Sequence, residues 1–395
     1  MQLPLNSVKS IPDTLNKFGF CNYGPLSDEQ AAWALYWGME VEQAGKYTNL
    51  LPPLDLDVSG LFKPATSYEY LDGFSPNLNK HLHLGHGANL VVGKALLSLG
   101  VAKQTVAILG DTLTGQVSKE EALQTYQRLC DEFGYPVNHL YFASQMGTPA
   151  LDAQMHPGGE GYEGCGVFEV GEAKVVGRKS DGSTSYFYQD LALAQELKAP
   201  TLYLTGVEQA PHFALVKQLY PEIKHVGLGL VVGKGGKMSS RQGNVIFFED
   251  VLGELAERFK GDRKLAYNVL AGQLLKYDLP TQKKLDMDQL TNLQTSLGLY
   301  LSYTRARLVR AGVPTSSVGA GFHSQKMQYA SVQAKAQLEP HRLLNAAFKL
   351  ATELNGLYGT TRIQGHPENV ALFEPKLSDL EEAMRQLGLF LVDEV

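Results

Sequence analysis

Two histidines three residues apart, His83 and His86, stand in the stretch Asp72–Gly93, DGFSPNLNKHLHLGHGANLVVG, where an apolar strand gives way through a Pro-Asn turn to a helix. At that spacing they fall on one side of the helix's first turn, beside backbone N–H groups that lack an intrahelical partner. Free amides, the positive end of the helix dipole and two imidazoles together suit a phosphate. Gly85 and Gly87 put no side chain between that backbone and a ligand. His81, His83 and His86 are also acceptable zinc donors, and partly buried histidines that merely pack are common. The residues alone leave phosphate, metal and packing open.

A second stretch, Gly227–Asn244, reads GLGLVVGKGGKMSSRQGN: an apolar strand opening into a glycine-rich loop that carries Lys234, Lys237, Ser239, Ser240 and Arg241. It fits neither usual nucleotide loop. Gly227, Gly229 and Gly233 miss the G-x-G-x-x-G spacing by one residue, and Met238 stands where a P-loop needs Ser or Thr after its lysine. What remains is a loop with a lysine on it.

Taken together, H-L-G-H at 83–86 and K-M-S-S-R at 237–241 resemble the two signature motifs of class I aminoacyl-tRNA synthetases, and S-P-N-L-N-K ahead of the first resembles the arginyl branch. The likeness continues through Arg178–Leu193 (RKSDGSTSYFYQDLAL), Glu208–His212 (EQAPH) and Leu338–Arg342 (LEPHR). It covers most of residues 68–312 and again 331–395, and the chain is identified on it as arginyl-tRNA synthetase-like.

That resemblance implies ATP-dependent activation of arginine, or a close analogue, as an aminoacyl-adenylate that is then transferred to an acceptor. It implies that His83 and His86 contact the ATP phosphates and that Lys237 neutralises the departing pyrophosphate. Ser239 and Ser240 would hydrogen-bond phosphate oxygens, Lys234 would join them in binding ATP, and Gly85 would keep the adenine side open. Mg²⁺ would arrive as a companion of ATP rather than in a protein cage. For the amino acid, Asp72 stands where a Glu is usual and Asn77 where an Asn binds the α-amino end. Tyr186 and Asp190 match a Y-x-x-x-D pair that reads the guanidinium, and Gln209 completes the pocket. By residue type alone, Asp190 could instead cap a helix starting at Leu191, and Tyr186 could be core.

The sequence also departs from the family. Gly87-Ala88-Asn89 replaces the usual Leu-Arg-Ser after the histidines, and Asp111-Thr112-Leu113 stands where Asp-Trp-Gly is usual. These changes are expected on tRNA-facing parts, sparing the adenylation pocket, so weakened or absent tRNA binding is the expectation. Arg305, Arg307 and Arg310 form the clearest basic cluster. They are expected at the tRNA's inner face, or solvated, or paired with acidic residues around Glu249 and Glu254. Two further readings stay open: a tRNA-independent paralogue that ligates the activated amino acid to a small-molecule or protein amine, and a non-catalytic amino-acid- and ATP-binding regulatory protein.

The elements that must hold these residues follow from periodicity. At 395 residues, 44% hydrophobic and 19% charged, the chain is long enough for two domains with a core. There is no signal peptide, no apolar run that could span a bilayer, and no repeat. Cys21, Cys130 and Cys165 form no C-x-x-C pair, which suits free thiols in a reduced, cytoplasmic setting. The formal charge of −6 argues against a uniformly basic surface without excluding a basic groove.

Residues 1–65 read as a leader with one helix from Ser27 to about Ala44. Residues 66–261 alternate strands (Tyr68–Phe74, Thr105–Leu109, His139–Phe142, Thr201–Thr205, His225–Val232) with helical runs (Ala88–Leu99, Lys119–Phe133, Leu191–Leu197, His212–Leu219). That alternation predicts a Rossmann-like α/β catalytic domain with a parallel sheet, carrying a hairpin insertion at 161–178. Residues 262–395 predict an all-α bundle, reduced relative to the family's anticodon-binding one and with a loop at Val313–Gly321.

Overall fold

The computed structural model describes residues 67–113, 115, 117–233, 246–319 and 321–395, together with the backbone of 40–44 and 47–51. Two compact units result, residues 66–299 and residues 1–65 with 300–395.

The first unit is built on a five-stranded parallel sheet. Numbering strands along the chain, and reserving β1 (Glu40–Ala44) and β2 (Tyr47–Leu51) for the other unit, the sheet contains β3 (Tyr68–Asp72), β4 (Ala102–Leu109), β5 (His139–Phe142), β9 (Thr201–Gly206) and β10 (Ile223–Leu228). Their spatial order is β10-β9-β3-β4-β5. Runs such as Val106–Leu109 and Leu202–Leu204 are buried throughout, as strands covered on both faces must be. The crossover helices are α1 (Leu84–Ser98), α2 (Lys119–Phe133), α3 (Tyr186–Leu197) and α4 (Ala210–Leu219). The chain leaves β3 towards β4 and β5, then returns to add β9 on β3's other side. The strand order therefore reverses between β3 and β9, and the carboxyl ends of those strands open a crevice where ligands bind in such sheets.

Three expectations are revised in this unit. The strand expected over His225–Val232 breaks at Leu228. A Cβ on Gly229 would lie 2.3 Å and 2.4 Å from the carbonyl oxygens of Thr281 and Pro280, so only glycine lets the chain press against that turn. β11 (Val231–Gly233) then pairs in parallel with β12 (Lys283–Leu285) in a separate sheet. Next, the insertion starts earlier than 161. β6 (His156–Pro157), β7 (Gly166–Val170) and β8 (Ala173–Arg178) form a three-stranded antiparallel sheet, with the hairpin itself confined to 166–178 around Gly171 at φ 60°. Finally, the change to helices near Gly261 is not a boundary between compact units. α5 (Phe248–Arg258) and α6 (Arg263–Leu274) stay with the sheet because α6 is buried along most of its length, and its Tyr267 stacks on Phe133 of α2 at 4.8 Å.

In the other unit, β1 and β2 pair antiparallel, with Val41 opposite Leu50. The helix expected to reach Ala44 is therefore a strand over Glu40–Ala44. Val41, Tyr47 and Thr48 favour the extended chain, and the five-residue register satisfies its backbone. The rest of that expected helix lies outside the described residues. α7 (Leu297–Arg310) runs into this unit, followed by α8 (Gln325–Gln337), α9 (Pro340–Thr360) and α10 (Val370–Gln386). α9 buries Leu343, Leu344, Ala347, Leu350, Ala351 and Leu354 along one side.

The basic cluster on α7 differs from expectation. Arg305 is buried, donating from Nε to Glu381 at 2.9 Å and from Nη1 to the Val392 carbonyl and Asp393 at 2.7 Å each. Arg307 bonds Asn355 at 3.0 Å and lies 4.0 Å over the Tyr358 ring. Only Arg310 of the three is exposed. Glu249 pairs instead with Arg128 and Arg263, and Glu254 with Arg258. No described helix is long and apolar enough to cross a membrane.

Candidate active site

β3 ends on Asp72, a carboxylate only 6% exposed that accepts from the Ser75 hydroxyl. Ser75 Oγ in turn accepts the Ile108 amide at 3.1 Å, so the turn after β3 is tied to β4. Burial pushes the Asp72 carboxyl up to about 7, against the Ser75 bond and with the help of Asp190's nearby charge. Five residues beyond the strand, Asn77 bridges to Gly110 just past the end of β4, where a Cβ would overlap its Oδ1. Asn77 Nδ2 donates to the Tyr186 hydroxyl at 3.1 Å.

The histidine pair caps α1. His83 is the N-cap; its Nδ1 accepts from the His86 amide at 3.3 Å, and His86 Nδ1 accepts from the His83 amide at 3.2 Å. The rings stack at 3.6 Å and 17°. A nitrogen that accepts is unprotonated, so each neutral ring carries its proton on Nε2 and offers that N–H to a ligand. Burial pushes both imidazoles down, His86 to about 3, and both are neutral donors near pH 7. The sequence suggested free amides at this turn. Three are occupied: His83 N–H by the His86 ring, His86 N–H by the His83 ring, and Leu84 N–H by the Ile246 carbonyl at 2.8 Å. Among the described residues no group of three or more His, Cys, Asp or Glu comes together to hold a metal ion.

Of the residues that depart from the family motif, those after the histidines do not lie on an outer face, whereas Thr112 and Leu113 are exposed. Gly87 is filled over by Phe248, whose Cδ2 would be 2.0 Å from an added Cβ. Ala88 is 3% exposed, and with Asn89 it lines the cavity; Asn89 also donates to the Leu204 carbonyl at 3.0 Å. Gly87, Ala88 and Asn89 are thus core and pocket-wall changes. Asp111, after β4, holds Ser144 through its amide and hydroxyl at 2.8 and 2.6 Å.

α3 supplies the facing wall. Its N-cap is Ser185, which accepts from the Tyr188 amide, so Asp190 lies in the helix's second turn and caps nothing. Asp190 Oδ2 contacts His212 Nε2 at 2.6 Å. Tyr186, at 60% exposed, is a rim residue and not core. Gln209 precedes α4 directly.

One cavity of about 1240 Å³ at the carboxyl ends of β3 and β9 is lined by Asp72, Asn77, His83, Gly85, His86, Tyr186, Asp190 and Gln209. Lys234, Lys237, Ser239 and Ser240 lie outside the described residues. The described segments before and after them, Val231–Gly233 and Ile246, both line the same cavity. The sequence reading did not single out Tyr203, Thr205, Gln189 or, individually, His212 and Glu208, which also line it. The last two sit in the flagged stretch EQAPH. Tyr203 could be found only from strand register, which sets it opposite Asp72.

The chain is 27% identical over 339 residues to an arginine–tRNA ligase of Streptococcus thermophilus, covering 72% of this chain and 60% of that protein. It is 30% identical over 331 residues to one of Limosilactobacillus fermentum, covering 71% and 59%. The chain thus spans about 60% of the length of the curated relatives it matches. Among solved structures, the arginyl-tRNA synthetase of Thermus thermophilus superposes with a TM-score of 0.62 at 15% identity, covering 100% of each chain, a likeness of fold. No family model matches the chain.

Proposed function

From a chain that is arginyl-tRNA synthetase-like in sequence and in fold, we infer a class I ligase that uses ATP to activate arginine and carries the arginyl group to tRNA in the cytoplasm. One observation carries this reading: a single cavity joins two chemically unlike sets of groups. On one side are the Nε2–H donors of His83 and His86 at a helix N-terminus, suited to phosphate. On the other are the buried carboxyl of Asp72 and the partly buried carboxyl of Asp190 with Asn77, Tyr186 and Gln209, suited to a guanidinium and an α-amino group.

In the reaction an arginine carboxylate oxygen bonds the α-phosphorus of ATP as the bond to pyrophosphate breaks. Charge spreads over the phosphoryl oxygens, so the protein's work is alignment and donor placement. His83 and His86 donate to phosphate oxygens without adding charge. Lys237 brings the charge that meets the leaving pyrophosphate, with Lys234, Ser239 and Ser240 on the same loop. Gly85 serves the adenine side by lacking a side chain; a Cβ there would also crowd the His83 ring at 2.9 Å. Mg²⁺ enters bound to the phosphates of ATP. A hydroxyl of the tRNA's terminal adenosine then attacks the acyl carbon, and AMP leaves. One observation supports a second acceptor, a small-molecule or protein amine: Arg305, on the helix expected to meet tRNA, is spent inside its own unit. ATP–pyrophosphate exchange across the amino acids, with and without tRNA, tests activation, and aminoacylation tests the acceptor. Exchange with arginine alone and arginine on the terminal adenosine are expected. Exchange with a different amino acid, or none, overturns the reading.

A further inference from the structure

Asp190 presents two unequal oxygens. Oδ2 lies 2.6 Å from His212 Nε2, whereas Oδ1 takes no protein donor among the described residues, and both side chains line the cavity. Burial pushes the Asp190 carboxyl up and the His212 bond pulls it down; with the carboxylate ionised, as facing a guanidinium requires, the proton in this contact belongs to His212 Nε2. The His212 ring is held on its own account. Phe187 meets it edge-on at 5.6 Å and Phe213 at 4.9 Å. Phe213 stacks on His225 at 4.7 Å and 11°, and His225 Nε2 lies 2.9 Å from Thr205 Oγ1. The donor thus arrives on a braced ring from a different helix.

We infer that His212 is a positioning residue for the amino-acid substrate: by donating to Asp190 Oδ2 it fixes the rotation of that carboxylate and presents Oδ1 to the substrate's cationic end. This rests on the reading that Asp190 faces the guanidinium of arginine. A carboxylate turns readily about its last bond, where its energy wells are broad. One held by a braced donor loses little freedom when the substrate binds, and the donor offsets part of the cost of keeping the charge buried.

Calorimetry of the full chain with arginine and, separately, with ATP tests the assignment. The proteins compared are the wild type, His212→Phe, His212→Gln, Asp190→Asn and the double variant Asp190→Asn/His212→Phe. Phenylalanine keeps the ring contacts without the donor, and glutamine restores an N–H. His212→Phe is expected to weaken arginine about ten- to hundredfold, the range of one lost charge-assisted bond, with ATP affinity changed less than about twofold. His212→Gln should recover part of the loss. In the Asp190→Asn background the His212 change should add less than about twofold, since its target is gone. Unchanged arginine affinity in His212→Phe, parallel loss of both ligands, or additive losses would overturn the inference. If Asp190→Asn weakens arginine while His212→Phe does not, this inference alone fails. If Asp190→Asn leaves arginine untouched, or the wild type binds none, the guanidinium reading fails with it.

Discussion

Asp72 sets a pH dependence that can be worked out in sign. Its carboxyl is held at about 7 in the folded protein against 3.8 as the ordinary value, chiefly because burial disfavours the charge. Between those limits the folded state binds more protons than the unfolded one, so Asp72's contribution is fully present below about pH 4 and is lost as pH rises through about 7. Asp72→Asn, neutral throughout, should therefore gain on the wild type with rising pH, by on the order of 3 kcal/mol between pH 4.5 and 8. Urea midpoints of both proteins at those two pH values measure it, and a gap independent of pH would refute it. A guanidinium needs this group ionised, so arginine affinity should rise up to about pH 7. Lys237 is the second residue-scale case. Lys237→Ala should lower the pyrophosphate-exchange rate by about two to four orders of magnitude, as loss of a strong transition-state donor does, with unfolding midpoints little changed. Near-wild-type exchange would remove Lys237 from the mechanism.

At the scale of elements, α1 is where sequence and structure agree and differ most instructively. The helix and its histidine turn were legible, because an apolar run after a Pro-Asn turn and two polar residues three apart are local signals. The reciprocal capping that makes both rings neutral Nε2 donors was not, since it depends on backbone geometry at His83. Likewise Asp190 reads from sequence alone equally well as a cap. Only the helix start at Tyr186, one turn earlier than the apolar run suggested, turns it inward. The parallel sheet was legible from alternating runs, whereas the break at Gly229 and the sheet membership of α6 depend on contacts with residues distant in sequence. Gly87 is a long-range feature of the same kind. Phe248 is fully buried, so it cannot move aside for a methyl group at Gly87. Gly87→Ala should cost about 1–3 kcal/mol by overpacking, despite alanine's better helix propensity. The double variant Gly87→Ala/Phe248→Leu should recover part of that loss. A neutral or stabilised Gly87→Ala would mean that the segment 246–248 yields more easily than its bonds to Leu82 and Leu84 imply.

For the whole molecule the proposed tRNA partner has to be reconciled with a chain of net charge −6. Binding to a polyanion is read out as a salt slope, each neutralised phosphate contributing about 0.7 to 0.9 in the logarithmic plot according to the form of the nucleic acid. The three arginines of α7 make opposite predictions on this scale. Arg305 is an internal strut: it is 4% exposed, its partner Glu381 is fully buried, and Glu381 also accepts the amide and hydroxyl of Ser316 at 2.7 and 2.8 Å. Removing one member of such a pair strands a buried charge, so Arg305→Ala should cost about 3–5 kcal/mol in unfolding and leave the salt slope of tRNA binding unchanged at temperatures where the protein is folded. Arg310 is exposed, and among the described residues its Nε donates only to the Ala306 carbonyl of its own helix at 3.3 Å. Arg310→Ala should change stability by less than about 0.5 kcal/mol and reduce the slope by roughly one phosphate. Arg307, stacked on Tyr358 and bonded to Asn355, should fall between them. Filter binding of total tRNA at several salt concentrations, alongside urea unfolding of each variant, separates the cases. A lower slope with unchanged stability in Arg305→Ala would mean that the ion network opens to take tRNA. No change of slope in Arg310→Ala would take this helix out of the tRNA contact altogether and favour the alternative acceptor.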